Sequence, residues 1–95
     1  MILEVAILNV RQGQTAEFED TFAVAKNIIS LMPGYISHEL HRRIETENKY
    51  LLLVRWQRLE DHTKGFRKSA EYQEWTRLLH HFYDPFPIVE HFSPI

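Results

Sequence analysis

Apolar residues change their spacing several times along the chain, and each change marks an element. Ile2 to Val10 is a β-rich apolar run ended by RQGQT, where Gly13 allows a turn and Thr15 can cap a helix. From Ala16 to Met32, the residues Phe18, Phe22, Ala25, Ile29 and Met32 recur at three- and four-residue spacing, which predicts an amphipathic helix. Pro33 and Gly34 stop it. Tyr35 to Ile44 reads as a strand, ETEN at 45–48 as a turn, and Lys49 to Gln57 as the returning strand of a hairpin. A short helix is expected over Leu59 to Arg67, and Ser69 caps another in which Tyr72, Trp75, Leu79 and Phe82 share one face. After Phe86, bracketed by Pro85 and Pro87, the residues Ile88 to Phe92 form a last short strand. The order β-α-β-β-α(α)-β is the ferredoxin-like plan of an α+β domain, an antiparallel sheet with helices on one face, spanning residues 1–95 as a single domain.

The hairpin's second strand, YLLLVRW at Tyr50 to Trp56, carries apolar residues on both faces, whereas an antiparallel strand with one wet face would alternate. The helices supply one cover. A chain of 95 residues has nothing left for the other, so a homodimer joined sheet to sheet is expected. The alternative is a central strand whose far face is partly wet. Size argues the same way, because a domain this small buries only roughly 60 to 65% of its unfolded surface.

Composition removes several classes of function. There is no cysteine, so disulfides, thiolate metal sites and thiol nucleophiles are excluded. Net charge is −2 with the eleven Lys and Arg dispersed, which offers no stripe for a phosphate backbone and excludes nucleic acid as a partner. The stretch MILEVAILNVRQGQ has no basic leader and falls far short of the ~20 apolar residues that span a bilayer, so the expected compartment is the cytoplasm, with no membrane partner. Among the histidines, His38 and His41 point to opposite faces of a strand and His80 and His81 diverge around a helix, so neither pair chelates a metal. The glycines lie far apart and form no phosphate loop, which leaves no visible nucleotide site.

The order of elements, the segment PGYISHELHR after a long first helix, the strand ending in Arg55-Trp56 and the following LEDHTKGFRKSAEYQEW resemble the antibiotic biosynthesis monooxygenase domain family. The resemblance runs from Ile2 to Phe92 and implies a dimeric α/β barrel with a ligand held between sheet and helices. It further implies oxidation of an aromatic, polyketide-like or quinol substrate by molecular oxygen, with no metal or flavin cofactor. A related branch degrades haem with an Asn, a Trp and a His. Their places here hold Ala6, Phe66 and Thr76, and Asn9 is shifted by an odd number of residues to the opposite face, so haem degradation is disfavoured.

Pairing the hairpin about its turn puts Ile36 near Trp56 and His38 near Val54, so that His38 and Trp56 share a face with Leu40 and Leu52. A histidine there can take a proton from a phenol or quinol near neutral pH while Trp56 stacks on the ring; the alternative is a hydrogen-bonded core histidine beside a core tryptophan. His62, four residues before Phe66, is the second candidate base, at a pocket mouth or else solvated at a helix start. Glu4 interrupts ILEVAIL in register with Ala6 and is either a base of raised pKa in a dry pocket or an ion-pair partner of Arg55. Phe66, Tyr72 and Trp75 can line a site for a flat ligand, or serve as core. The expectation is a cofactor-independent monooxygenase acting on a small aromatic or quinol-type molecule, with His38 and His62 as catalytic candidates. The alternative is a non-enzymatic dimer that binds a small hydrophobic molecule or acts as a scaffold.

Overall fold

The computed structural model describes Met1–Ile95. Four strands, β1 (Ile2–Asn9), β2 (Tyr35–Arg42), β3 (Lys49–Trp56) and β4 (Val89–Phe92), form one antiparallel sheet in the order β2-β3-β1-β4. Helix α1 (Thr15–Ile29), a π-helical turn (Asp61–Phe66), helix α2 (Ala70–Leu79) and a 3-10 turn (His80–Phe82) supply the other layer. The fold is ferredoxin-like α+β, as the spacing predicts.

Period decides which residues meet between the layers. Phe18, Phe22, Ala25 and Ile29 are the buried stripe of α1, and Trp75 and Leu79 that of α2. Opposite them lie Glu4, Ala6 and Leu8 of β1 and Tyr50, Leu52, Val54 and Trp56 of β3, every second residue of each strand. Burying each large apolar side chain in this layer contributes roughly 1.5 to 3 kcal/mol. Phe18 sits at the centre, with ring centroids 4.9 Å from Tyr50 and 5.6 Å from Phe82. Polar bonds fix how α1 meets the sheet: Glu19 accepts from the Tyr50 hydroxyl at 2.6 Å and from Arg42 at 3.0 Å.

The ends of the elements depart from expectation in three places. Gln14, not Thr15, flanks α1 and makes no side-chain cap bond; Thr15 is already the first helical residue, while Gly13 provides the turn at φ +83. Ser69 does cap α2, its Oγ accepting from the Tyr72 N–H at 3.1 Å. Strand β2 ends at Arg42, and the turn before β3 closes through Asn48, which adopts φ +68 and donates its side-chain amide to the Val10 carbonyl at 3.1 Å. The third departure is a bulge between Tyr35 and Ser37 that shifts the register, so Tyr35 rather than Ile36 stands opposite Trp56, while His38 still faces Val54.

Gly34 begins this irregular entry to β2 at φ +85. A Cβ there would overlap the Asp61 carboxyl, so the strand entry and the start of the π-helical turn are in direct contact. The Gln57 N–H donates to the Gly34 carbonyl at 2.8 Å and holds the same junction from the β3 side.

The other sheet face has no cover within the chain. Leu3, Val5 and Ile7 of β1, Leu51 and Leu53 of β3 and Phe92 of β4 lie on it, with Ile7 49% and Phe92 52% exposed. Glu39 borders this strip and joins Arg55 at 2.8 Å and His41 at 2.9 Å. No helix is long and apolar enough to cross a membrane.

Candidate functional site

Two depressions open on the helical side of the sheet, and their walls differ in chemistry. The larger, about 1000 Å³, is a groove between α1 and the β2–β3 hairpin, with five of its sixteen lining residues apolar. Lys26, Arg42, Glu45 and Glu47 line it, and charged walls of this kind hold water. The smaller, about 350 Å³, has ten apolar residues among fifteen. Ala6 and Leu8 of β1, Leu52 of β3 and Val89 of β4 make its floor, Phe66, Tyr72 and Trp75 one wall, and Tyr83 and Phe86 another. An apolar cavity with a few placed polar groups is the usual form of a small-molecule site, and the smaller space has that form.

Its polar groups are organised around Glu4. The β1 register directs Glu4 to the helical side beside Ala6, whose small side chain leaves room, and Glu4 is only 5% exposed. Arg55, the partner considered from sequence, belongs to the opposite face and bonds Glu39 instead. Oε1 of Glu4 accepts the Trp56 indole Nε1–H at 2.9 Å and lies 3.4 Å from Nε2 of His62. Nδ1 of His62 is in turn 2.8 Å from Nε2 of His91, a residue of β4. When Glu4 is ionised, one arrangement of protons satisfies this chain: His91 Nε2–H donates to His62 Nδ1, and His62 Nε2–H points at Glu4. Oε2 of Glu4 is left for an occupant of the cavity.

Burial sets the charge states. Loss of water raises the Glu4 pKa, a shift opposed by the bond from Trp56 and by the positive charge of Arg67. The same loss of water pushes the His62 imidazole down to about 3, helped by Arg67 and His91. A carboxylate beside a histidine would ordinarily favour the imidazolium, but desolvation of both groups outweighs the attraction and His62 stays neutral. His91 is lowered by burial and by Arg67, and His80, also on the cavity wall, by burial.

The candidate residues read from sequence fall into two places. Phe66, Tyr72, Trp75 and His62 line the cavity; His62 and Phe66 are both buried on one side of the π-helical turn, as their four-residue spacing requires. Trp56 was expected to stack on a substrate ring, yet it is fully buried and stacks on His62 instead, at 5.5 Å and 19° between planes. His38 does share the helical face with Trp56, but the bulge sets Tyr35, in place of Ile36, opposite Trp56 and between the two: its ring centroid is 6.3 Å from Trp56 and its hydroxyl bonds His38 Nδ1 at 2.5 Å. His38 faces the helices but lines the polar groove, where burial and Lys26 lower its pKa.

Sequence reasoning passed over His91 and Arg67. A signal existed for His91, since antiparallel pairing of β1 with β4 places it directly opposite Glu4. Arg67 follows Phe66 at the end of the π-helical turn, and nothing in its local pattern separates it from the other surface cations.

Comparison with known proteins places this geometry among relatives. Residues 1–78 match the family model described as antibiotic biosynthesis monooxygenase. The chain is 57% identical over 95 residues to the uncharacterized protein YczJ of Bacillus subtilis (strain 168), covering 100% of both. It is similar to a crystal structure from Bordetella bronchiseptica, provisionally assigned as an antibiotic biosynthesis monooxygenase, with a TM-score of 0.93, 34% identity, and coverage of 99% of this chain and 96% of that one. It also shares its fold with SnoaB, a cofactor-independent oxygenase from Streptomyces nogalater, at a TM-score of 0.78 and 21% identity over 99% of this chain and 92% of the other.

Proposed function

The chain belongs to the antibiotic biosynthesis monooxygenase family, and on that premise we propose that it is a cytoplasmic, cofactor-independent monooxygenase for a small aromatic or quinol-type substrate. The observation that carries this reading is a buried carboxylate, Glu4, with one oxygen open to an aromatic-lined cavity. A ligand-binding module without chemistry would need the aromatic walls, but a desolvated carboxylate of raised pKa is costly there unless it accepts a proton.

Glu4 is the general base in this scheme. It takes a proton from a phenol, enol or activated methylene, because the resulting anion gives an electron to oxygen far more readily than the neutral molecule. For an anthrone-type methylene, the radical and superoxide combine at carbon as a peroxide, and Glu4 returns its proton to the distal oxygen. Cleavage of the O–O bond with loss of the remaining C–H proton then yields a ketone and water. All the electrons come from the substrate, and CH2 plus O2 becomes C=O plus H2O. His62 holds Glu4 in place and Trp56 limits the rise in its pKa. His38, in the separate groove, takes no part in the proton transfer.

The working unit in this reading is a homodimer. The strip of Leu3, Val5, Ile7, Leu51, Leu53 and Phe92 needs a cover, and a second copy of the same sheet closes an α/β barrel.

Oxygen consumption with a panel of anthrones, naphthoquinols and catechols tests the activity. Uptake by the wild type with a near-complete loss in Glu4→Gln is the expected result. No uptake on any substrate would reject the enzyme in favour of the binding dimer.

A further inference from the structure

The polar groove holds a second set of side chains, which the proton chemistry of the cavity leaves unused. Along α1, Glu19, Phe22, Ala23 and Lys26 face it at three- and four-residue spacing, and along β2 so do His38, Leu40 and Arg42, every second residue. The two rows run in opposite directions. Glu19 joins Arg42 at 3.0 Å at one end, while at the other the Phe22 ring lies 5.9 Å from that of His38 and the charge of Lys26 is felt at the same imidazole. About 13 Å of strand separates His38 from Arg42.

Only one end of the groove is satisfied from within the chain. The Glu19 carboxylate accepts from Arg42 and from the Tyr50 hydroxyl, and Arg43, at the hairpin turn, bonds Thr46. Lys26 is exposed and pairs with no carboxylate. His38 commits one nitrogen to Tyr35, whose hydroxyl lies 2.5 Å from Nδ1, and a phenol that donates there leaves the imidazole proton on Nε2. Nε2 has no partner, and since Oγ1 of Thr76 is the one buried side-chain polar atom without one, Nε2 is open to solvent. Burial and Lys26 hold the ring below its usual pKa, so it is neutral near pH 7 and has an N–H to give.

We infer that this end of the groove binds a small apolar monocarboxylate, whose carboxylate accepts from Lys26 Nζ and His38 Nε2–H and whose body rests on Phe22 and Leu40. Ala23 takes little of the space between Glu19 and Lys26, which leaves room for that body. A monoanion suits the wall better than a phosphate: Lys26, Arg42 and Arg43 are matched by Glu19, Glu45 and Glu47, so a dianion gains no long-range attraction. Lys26 turns cations away. The groove shares no lining residue with the cavity around Glu4, so the inference stands or falls independently of the monooxygenase reading.

NMR titration of the isotopically labelled protein with benzoate, benzamide and inorganic phosphate provides the test. Benzoate should shift the His38 ring and Lys26 side-chain resonances to saturation, with a Kd of about 1 mM, the affinity expected of so small a ligand in an open site. Benzamide, its neutral counterpart, and phosphate should bind at least about fivefold more weakly, as should benzoate to Lys26→Gln, an exposed substitution. In the free protein the His38 nitrogen shifts should report the Nε2–H tautomer, and bound benzoate should raise the His38 pKa. The absence of a saturable shift at His38 would overturn the inference, as would equal affinity for benzamide or phosphate, undiminished binding by Lys26→Gln, an unmoved His38 pKa or the Nδ1–H tautomer. Shifts confined to His62 and His80 would overturn it too, by placing the acid in the apolar cavity.

Discussion

Trp56 reaches diagonally across two strands to bond Glu4. In the β1–β3 register Trp56 stands opposite Ile2 and Glu4 opposite Val54, yet the indole Nε1–H lies 2.9 Å from Oε1 of the carboxylate. This bond partly offsets the cost of burying Glu4 and fixes which oxygen is committed to protein. Trp56 is therefore a positioning residue in the proposed reaction, acting through Glu4.

The pH dependence of activity should report that bond. Catalysis by an ionised Glu4 fails as pH falls through its pKa, and removing the indole donor raises that pKa further. In Trp56→Phe the acid limb of kcat/KM should move to higher pH. An acid limb at the same pH in both proteins would mean that Glu4 is not the titrating base.

Glu4→Gln should lower kcat by roughly 10²- to 10⁴-fold, the usual contribution of a positioned acid or base. His38→Ala, in the polar groove, should stay within about twofold of the wild type. Steady-state oxygen uptake on any accepted substrate decides it. A large loss in His38→Ala with little change in Glu4→Gln would move the chemistry to the other depression.

Stability should fall on acidification partly because of His62. Its folded pKa is pushed down to about 3 from 6.5, so below about pH 6.5 the unfolded chain takes up a proton that the folded chain refuses, and stability drops as pH falls towards 3. Glu4 acts in the opposite sense: its raised pKa means that ionisation destabilises the fold as pH rises above 4.5. Urea unfolding at about pH 7 and about pH 5 should show the wild type losing up to about 2 kcal/mol more than His62→Gln over that interval. Parallel losses in the two proteins would mean that His62 is charged in the folded state.

Association should be lost with the outer apolar strip. Leu53 lies between Val5 and Glu39 on that face, and Leu53→Asp would place a second carboxylate beside Glu39 in what the partner must bury. The penalty for burying an unpaired carboxylate is several kcal/mol. Analytical ultracentrifugation at micromolar concentration should find the wild type as a dimer and Leu53→Asp as a monomer or unfolded. A folded wild-type monomer would refute the proposed barrel.

How much of this molecule is legible in its sequence depends on where each interaction is encoded. The stripe of α1 and the two-faced run of β3 are legible because periodicity records burial directly. The Tyr35–Ser37 bulge is not, since nothing in YIS distinguishes a regular strand from one that gains a residue, and that single slip decides which side chain stands beside Trp56. Glu4 stands out as a charge inside an apolar run, but its surroundings depend on contacts with Trp56, His62 and His91, residues 52, 58 and 87 positions away. Contacts at such separation are fixed by strand pairing and helix docking, which local spacing does not record.

Gly34 touches no atom of the cavity, yet its place against Asp61 gives it a hold on the chemistry. The Asp61 carboxylate accepts the Arg58 N–H at 3.0 Å and so anchors the first turn of the segment that delivers His62. Any side chain at Gly34 must displace that anchor, besides occupying a backbone conformation unfavourable to it. In a genetic screen scored for activity, lesions at Gly34 should therefore be recovered together with those at Glu4 and His62, as though remote loop and reactive centre were a single locus.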